Sequence, residues 1–214
     1  MTRHLKRQNA PKNWPIPRKG TTFVVKNNSK GIPILVVLRD LMKAAKSKKE
    51  VKKAIHKRDL VISNKPVNDE KKSLELFDVL TIVPSKKNYR IVLSPKGKYD
   101  VKEINENDAK TKISKVIGKK TLKGKKVQLN LIDGRNYLSD LECSIGDSAL
   151  IDLQKKKISK ILPIKEKSEV LVIGGKHAGH NGKISRIVKD QNMVEIESKD
   201  KKFRALIKQI MVLD

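Results

Sequence analysis

Residues 169–188 read Glu169-Val170-Leu171-Val172-Ile173-Gly174-Gly175-Lys176-His177-Ala178-Gly179-His180-Asn181-Gly182-Lys183-Ile184-Ser185-Arg186-Ile187-Val188. Two β-branched runs flank a turn dense in glycine and bases. Such runs read as strands, and the bases between them fall on a tight connection. Gly175, Gly179 and Gly182 are expected to be structural turn residues, because glycine turns sharply, or brings backbone close, without a Cβ clash. Met193-Val194-Glu195-Ile196-Glu197 and Phe203-Arg204-Ala205-Leu206-Ile207 supply further strands. Residues 167–214 therefore read as a small β unit.

Two competing motifs fail here. A phosphate-binding Walker loop needs Gly-x-x-x-x-Gly-Lys-Ser/Thr. Gly182-Lys183 is followed by Ile184, and the position five before Gly182 is His177. His177-x-x-His180 offers two metal ligands, but no third His or Cys lies nearby in sequence, so no metal is expected.

Moving toward the centre, residues 86–166 alternate short apolar runs with turn signals. Tyr89–Leu93, Val127–Leu131 and Ala149–Leu153 read as strands, and Asp133-Gly134 and Ile145-Gly146-Asp147 mark tight turns. Residues 107–112 suggest one short helix. Strands at this spacing predict a barrel-like unit. The lysine-dense run Gly118–Lys126 reads as a loop between strands. It is either solvated or, as the charge balance favours, a phosphate contact through Lys123 and Lys125.

Residues 31–85 change period. Pro33 suits a first helical position, and Ile34, Leu35, Leu38, Leu41, Met42 and Ala45 follow the helical repeat. Ser47-Lys48-Lys49-Glu50 is a capping box that starts a second helix, with Glu50 reaching back to the cap. Val51, Ala54 and Ile55 form its apolar stripe. Lys49, Lys52, Lys53 and His56 share the opposite face and repel one another unless a polyanion lies along them. Leu60–Ile62, a turn at Asn64-Lys65-Pro66, and the run Ser73–Val83 complete a small sheet.

The first thirty residues show neither period. Pro11, Pro15 and Pro17 forbid a helix. The segment is expected to be an extended arm, mobile alone and ordered on RNA, with Phe23-Val24-Val25 as a short strand. Its bases, Arg18 and Lys19 among them, can pair with phosphates, and Trp14 can stack or wedge. The competing expectation is a disordered tail with Trp14 packed on the first domain.

Composition narrows the function. The 214 residues carry 50 Lys+Arg against 23 Asp+Glu, a net charge of +27, and 41 of the bases are lysine. The arm, the helical segment, the centre and the C-terminal unit carry +8, +5, +10 and +4. Every part is basic, so a polyanion is the expected partner, and nucleic acid is the common one. A membrane surface is disfavoured, since no basic helix carries a Trp, Phe and Leu face. Aromatic residues make up 3 %, too few for an aromatic-lined ligand pocket or a full base-stacking platform. Cys143 stands alone, which excludes an internal disulfide and a multi-cysteine zinc site and suits a cytoplasmic protein. No apolar run spans a membrane and no secretory signal opens the chain. No cofactor, catalytic residue or small-molecule substrate is expected.

Three resemblances follow from these residues. The strand–turn–strand of 169–188 resembles the KOW motif of ribosomal and transcription-elongation proteins, which implies an SH3-like barrel. Two short helices with a basic face, followed by "VISNKPVN" and "FDVLTI", resemble a small RNA-binding domain of ribosomal proteins, RNA-modifying enzymes and one class of aminoacyl-tRNA synthetase. There "FDV" stands where that family often has Gly-Asp-Val. The order of parts is the most specific signal: "RHLKRQNAPKNWPI", the helical module, "GKYDVKEINENDAKTKISKV", "TLKGKKVQLNLIDGRN", "IGDSALIDL" and the KOW-like turn. Over essentially the whole chain it resembles the e-type small-subunit ribosomal protein four family of archaea and eukaryotes, with archaeal features.

The resemblance implies a mostly β fold with a small α+β module, in three small domains. These are a helical-hairpin RNA-binding domain over 31–85, a central β-barrel-like domain over 86–166 and a C-terminal SH3-like KOW barrel over 167–214, after the basic extended arm of 1–30. It implies that Arg3, His4, Lys6, Arg7 and Lys12, then Lys49, Lys52, Lys53 and Arg58, then Lys176, His177 and Lys183 face rRNA. Arg135 either meets RNA or closes a turn. The expected role is structural: binding small-subunit rRNA beside neighbouring ribosomal proteins, in assembly and translation. An RNA-modifying enzyme is excluded for want of a catalytic domain. The alternative is a KOW-containing transcription or RNA-processing factor.

Overall fold

Ser47 caps the longest helix among the described residues, and strands outnumber helices throughout. The computed structural model describes residues 4–188, 191–198 and 201–213. They fall into two compact units. The first is Met1–Leu93 with Lys98–Ala109, and the second is Ser94–Gly97 with Lys110–Asp214.

The first unit opens with β1 (His4–Lys6), antiparallel to β2 (Phe23–Val25). β3 (Ile32–Pro33) leads into α1 (Ile34–Val36), and then α2 (Lys48–His56) follows. β4 (Leu60–Ile62), β5 (Lys65–Pro66), β6 (Ser73–Leu74), β7 (Val79–Ile82), β8 (Lys87–Leu93) and β9 (Tyr99–Ile104) precede α3 (Glu106–Ala109). β6 pairs with β3, and the other five form an antiparallel sheet ordered β5-β4-β7-β8-β9. The core joins Ile34–Leu38, Val51, Ile55, Leu60, Ile62, Leu74, Leu80 and Ile91.

The two predicted helices differ in outcome. In α2, Ser47 Oγ accepts from the Glu50 N–H as expected, but Glu50 reaches one residue beyond the cap, to the Lys46 N–H at 2.7 Å. The first helix is shorter than its repeat suggests. α1 is a single turn capped by Pro33, which lies before the helix rather than inside it, and residues 37–41 continue in wider, π-type turns. Ile34 to Leu38 are all buried, so there is no solvent face for a regular amphipathic helix to present. Lys43, at φ 54°, then turns the chain away.

The strand at Tyr89–Leu93, expected to open the central region, joins the first unit instead. A tight turn with Lys86 in the left-handed region sets β8 directly against β7, Ile82 opposite Lys87. A hairpin between sequence neighbours closes the shortest loop. β9, which the sequence reading passed over, then pairs along the whole of β8.

The arm is a further correction. It is folded onto the first unit, not extended and waiting for RNA. Trp14 is 2 % exposed, lies in the core cluster and donates its indole N–H to Gly31 O at 3.1 Å. Arg18 donates to the carbonyls of Ala10 and Gln8, at 2.8 and 3.2 Å. Arg7 donates to Pro17 O, Thr21 O and Thr21 Oγ1. These two guanidiniums supply the donors that a proline-rich loop lacks.

The second unit holds two five-stranded antiparallel sheets. One contains β10 (Thr111–Thr121), β11 (Val127–Leu131), β12 (Asn136–Leu138), β13 (Ser148–Asp152) and β14 (Lys157–Leu162), ordered β12-β11-β10-β13-β14. The other contains β15 (Glu169–Val172), β16 (Asn181–Val188), β17 (Met193–Glu197), β18 (Lys202–Leu206) and β19 (Ile210–Val212), ordered β18-β17-β16-β15-β19. The fold is mostly β, as expected.

Buried polar groups tie these sheets together. Ser148 Oγ accepts from the Val212 N–H at 2.9 Å, and Asp147 accepts from Ile164 and Ser144 N–H groups. Lys115 is buried and donates to Ile210 O at 2.7 Å and to Ile207 O. Burial pushes its ammonium down to about 8.

Candidate nucleic-acid interface

α2 carries the clearest cationic face. Val51 and Ile55 anchor it in the core, so helical geometry sends Lys49, Lys52, Lys53 and His56 outward, and all four are exposed. Glu70 lies at one flank, 2.9 Å from Lys48 and 3.9 Å from Lys52. Burial acts to raise the Glu70 carboxyl, but the hydrogen bond from Lys48 and the lysine charges outweigh it and hold it below its ordinary value. Among the described residues, no carboxylate pairs with Lys49, Lys53 or Arg58. Arg58 ends the helix at φ 61°, where Asp59 N–H returns to Ala54 O. Glycine usually holds that left-handed position, so the guanidinium is kept there against backbone strain.

The arm places His4, Lys6, Lys12, Arg18 and Lys19 at the surface, although Arg18, like the half-buried Arg7, also clasps carbonyls of the arm itself. Arg3 lies outside the described residues. The first carboxylate side chain in the sequence is Asp40, so the arm carries no acid of its own.

The lysine run at 118–126 is the tip of a hairpin, not a free loop. Gly118–Thr121 continue β10, with Lys119 opposite Leu129 and Lys120 opposite Gln128. Lys123 is exposed in the turn; the Lys125 side chain lies outside the description. A run of lysines hides a strand because its period-2 signal rests on partners supplied by β11. Arg135 closes a turn: its guanidinium lies 3.8 Å from Asp133, which accepts from Lys112 Nζ at 2.6 Å.

The KOW-like turn is largely occupied with the protein itself. Gly179 has φ +88°, and a Cβ there would sit 1.9 Å from Ser94 O. Gly182 presses on β17, where a Cβ would meet Glu197 O at 2.7 Å. These glycines let backbone meet backbone. His177 stacks on Phe203, with ring centroids 4.5 Å apart at 20°. Lys176 is exposed, and Lys183 is exposed between Glu169 and Glu197 on the neighbouring strands. Among the described residues there is no metal-binding cluster and no helix long and apolar enough to cross a membrane.

Among the described residues the arrangement offers dispersed cations and no set of converging reactive groups. Comparison with known proteins agrees in class. Three family profiles match: RS4NT (NUC023) domain over residues 1–29, Ribosomal family S4e over 85–158 and KOW motif over 166–197. Small ribosomal subunit protein eS4 of Methanosphaera stadtmanae is 34 % identical over 99 % of this chain and 92 % of its own. The eS4 of Archaeoglobus fulgidus is 36 % identical, over 92 % and 87 %. That of Methanospirillum hungatei is 36 % identical, over 86 % and 80 %. The crystal structure of 30S ribosomal protein S4e from Thermoplasma acidophilum shares the fold, with a TM-score of 0.73, 22 % identity and coverage of 86 % of this chain and 95 % of that one.

This is a small-subunit ribosomal protein by class, a structural component and not an enzyme. The chain belongs to the eS4 family, and the relatives named here are archaeal. The comparisons lend no support to a transcription or RNA-processing factor.

Proposed function

We propose that the chain binds small-subunit rRNA on the cytoplasmic ribosome through dispersed Lys and Arg contacts to phosphates. It thereby supports subunit assembly and translation beside neighbouring ribosomal proteins. Three parts share this work: the helical-hairpin module, the central barrel-like region and the C-terminal SH3-like KOW barrel. The observation that carries the reading is the face of α2. Among the described residues, Lys49, Lys53 and Arg58 stand exposed with no carboxylate paired to them. Point charges of this kind position a protein on a backbone without reading sequence. Self-repulsion on such a face is relieved by a polyanion.

The test is sedimentation of tagged protein through a sucrose gradient. Comigration with small subunits that persists through a salt wash supports the reading. Release into the light fractions, or comigration with RNA polymerase, contradicts it.

A further inference from the structure

The loss of Trp14 to the core removes the expected base-stacking residue, and the same arm offers another. Phe23 is 51 % exposed and is the one aromatic among the large hydrophobic side chains that stand exposed in the described residues. It sits on β2 opposite Lys6 of β1. His4 stands two positions along, on the same face of the ribbon, and its ring meets that of Phe23 at 4.2 Å and 62°. Such an edge contact uses one ring's edge and one face of the other, so ring faces remain for a third planar group. Leu5 and Val24 on the other face of the ribbon, and Val25 beside His4 on this one, pack on the core. The ribbon is therefore anchored before any ligand arrives.

We propose that Phe23, braced by His4 and flanked by Lys6, is a stacking site for one unpaired base of the rRNA. The inference rests on the rRNA-binding reading above. A single exposed phenyl ring is ordinary on a protein surface; what distinguishes this one is the planar ring beside it and the cation opposite it. Its surroundings choose the cover, since Lys6 stands directly across the ribbon. A nucleotide satisfies both neighbours at once, the base on the ring and the phosphate on the ammonium. An apolar protein segment would leave the cation unanswered.

Stacking and charge pairing separate by salt. Removing a phosphate contact lowers the slope of log K against log salt, whereas removing a stacked base lowers affinity and leaves that slope alone. The full chain is titrated with small-subunit rRNA at several salt concentrations. Phe23→Ala and Phe23→Leu, the latter keeping the apolar volume of the strand, are expected to bind about 5- to 100-fold more weakly with an unchanged slope. Phe23→Trp is expected to restore affinity, and its new exposed indole should be quenched by rRNA. Lys6→Ala is expected to reduce the slope by roughly 0.7 to 0.9.

Equal affinity of Phe23→Leu and the parent chain overturns the proposal. So does an unquenched Phe23→Trp. Normal rRNA affinity with defective incorporation into subunits also overturns it and assigns the ring to a protein neighbour. Failure of the parent chain to bind rRNA is a different result, since it removes the reading on which this site depends.

Discussion

Trp14 donates its indole N–H to the carbonyl of Gly31 at 3.1 Å, and that bond fastens the basic arm to the core of the first unit. The arm is then part of the folded protein before RNA is met. Trp14→Ala is expected to destabilise the first unit by about 3–5 kcal/mol, measured by urea unfolding. In the free parent chain, tryptophan emission should already be blue-shifted and protected from acrylamide. An exposed, red-shifted emission that shifts only when rRNA is added would contradict this placement.

Arg58 tests the balance between stability and binding. It is exposed and left-handed, at φ 61°. Arg58→Gly relieves that strain and should raise stability by about 1 kcal/mol. If the guanidinium meets a phosphate, the same substitution lowers rRNA affinity and reduces the salt slope. Thermal unfolding and rRNA titration of one variant read both effects. Lower stability, or unchanged affinity, would count against the role given to this residue.

The buried pair Lys112–Asp133, at 2.6 Å with side chains 1 % and 3 % exposed, is structural. Asp133→Ala removes a carboxylate that accepts from the buried Lys112 ammonium and from the Arg135 N–H, and is expected to cost about 3–5 kcal/mol. The double variant Lys112→Met with Asp133→Leu should recover much of that loss, because a matched apolar pair carries no desolvation penalty. Denaturant midpoints for the two variants check the order. Equal instability in both would show that the pair itself is not what matters.

Lys115 predicts a pH dependence with a definite sign. Its ammonium titrates near about 8 when folded, below its ordinary value, because burial disfavours the charge. The unfolded chain therefore holds this proton more tightly. As pH rises above about 8 toward the ordinary lysine value near 10.4, the native state gains stability relative to the unfolded one. Below about 8 both states are protonated and the cost of burying the charge is constant. Lys115→Met should lose this rise, and should be less stable throughout because Ile207 O and Ile210 O lose their donor. Parallel pH curves for the two proteins would contradict the assignment.

Local signals were legible in the sequence where they were self-contained. The capping box at Ser47, the basic face of α2 and the glycine turn at 174–182 each carry their own geometry. What escaped depended on distant partners. The end of β10, Gly118–Thr121, reads as part of a lysine-rich loop because its register is set by β11. Lys112 and Lys115 look like surface cations until Asp133 and the carbonyls near the C-terminus are brought to them. Trp14 looks free because the carbonyl that holds it lies seventeen residues away. Phe77 stands where the resembling domains often have glycine, and it does adopt φ 61°; the sequence locates the turn but not the side chain that would tolerate it. Of the candidate interface, the exposed lysines of α2 and the arm were foreseeable. The carbonyl clasps of Arg7 and Arg18 and the stack of His177 on Phe203 were not, since both spend a basic or aromatic group on the fold itself.

The central claim is that many separate cations neutralise rRNA phosphates. The affinity of the purified chain for small-subunit rRNA, followed from about 50 to 200 mM salt, tests it most directly. The account predicts a linear fall of log K with log salt amounting to about a thousandfold or more. An affinity that changes by less than about tenfold over that range would mean that something other than dispersed phosphate pairing holds the complex together.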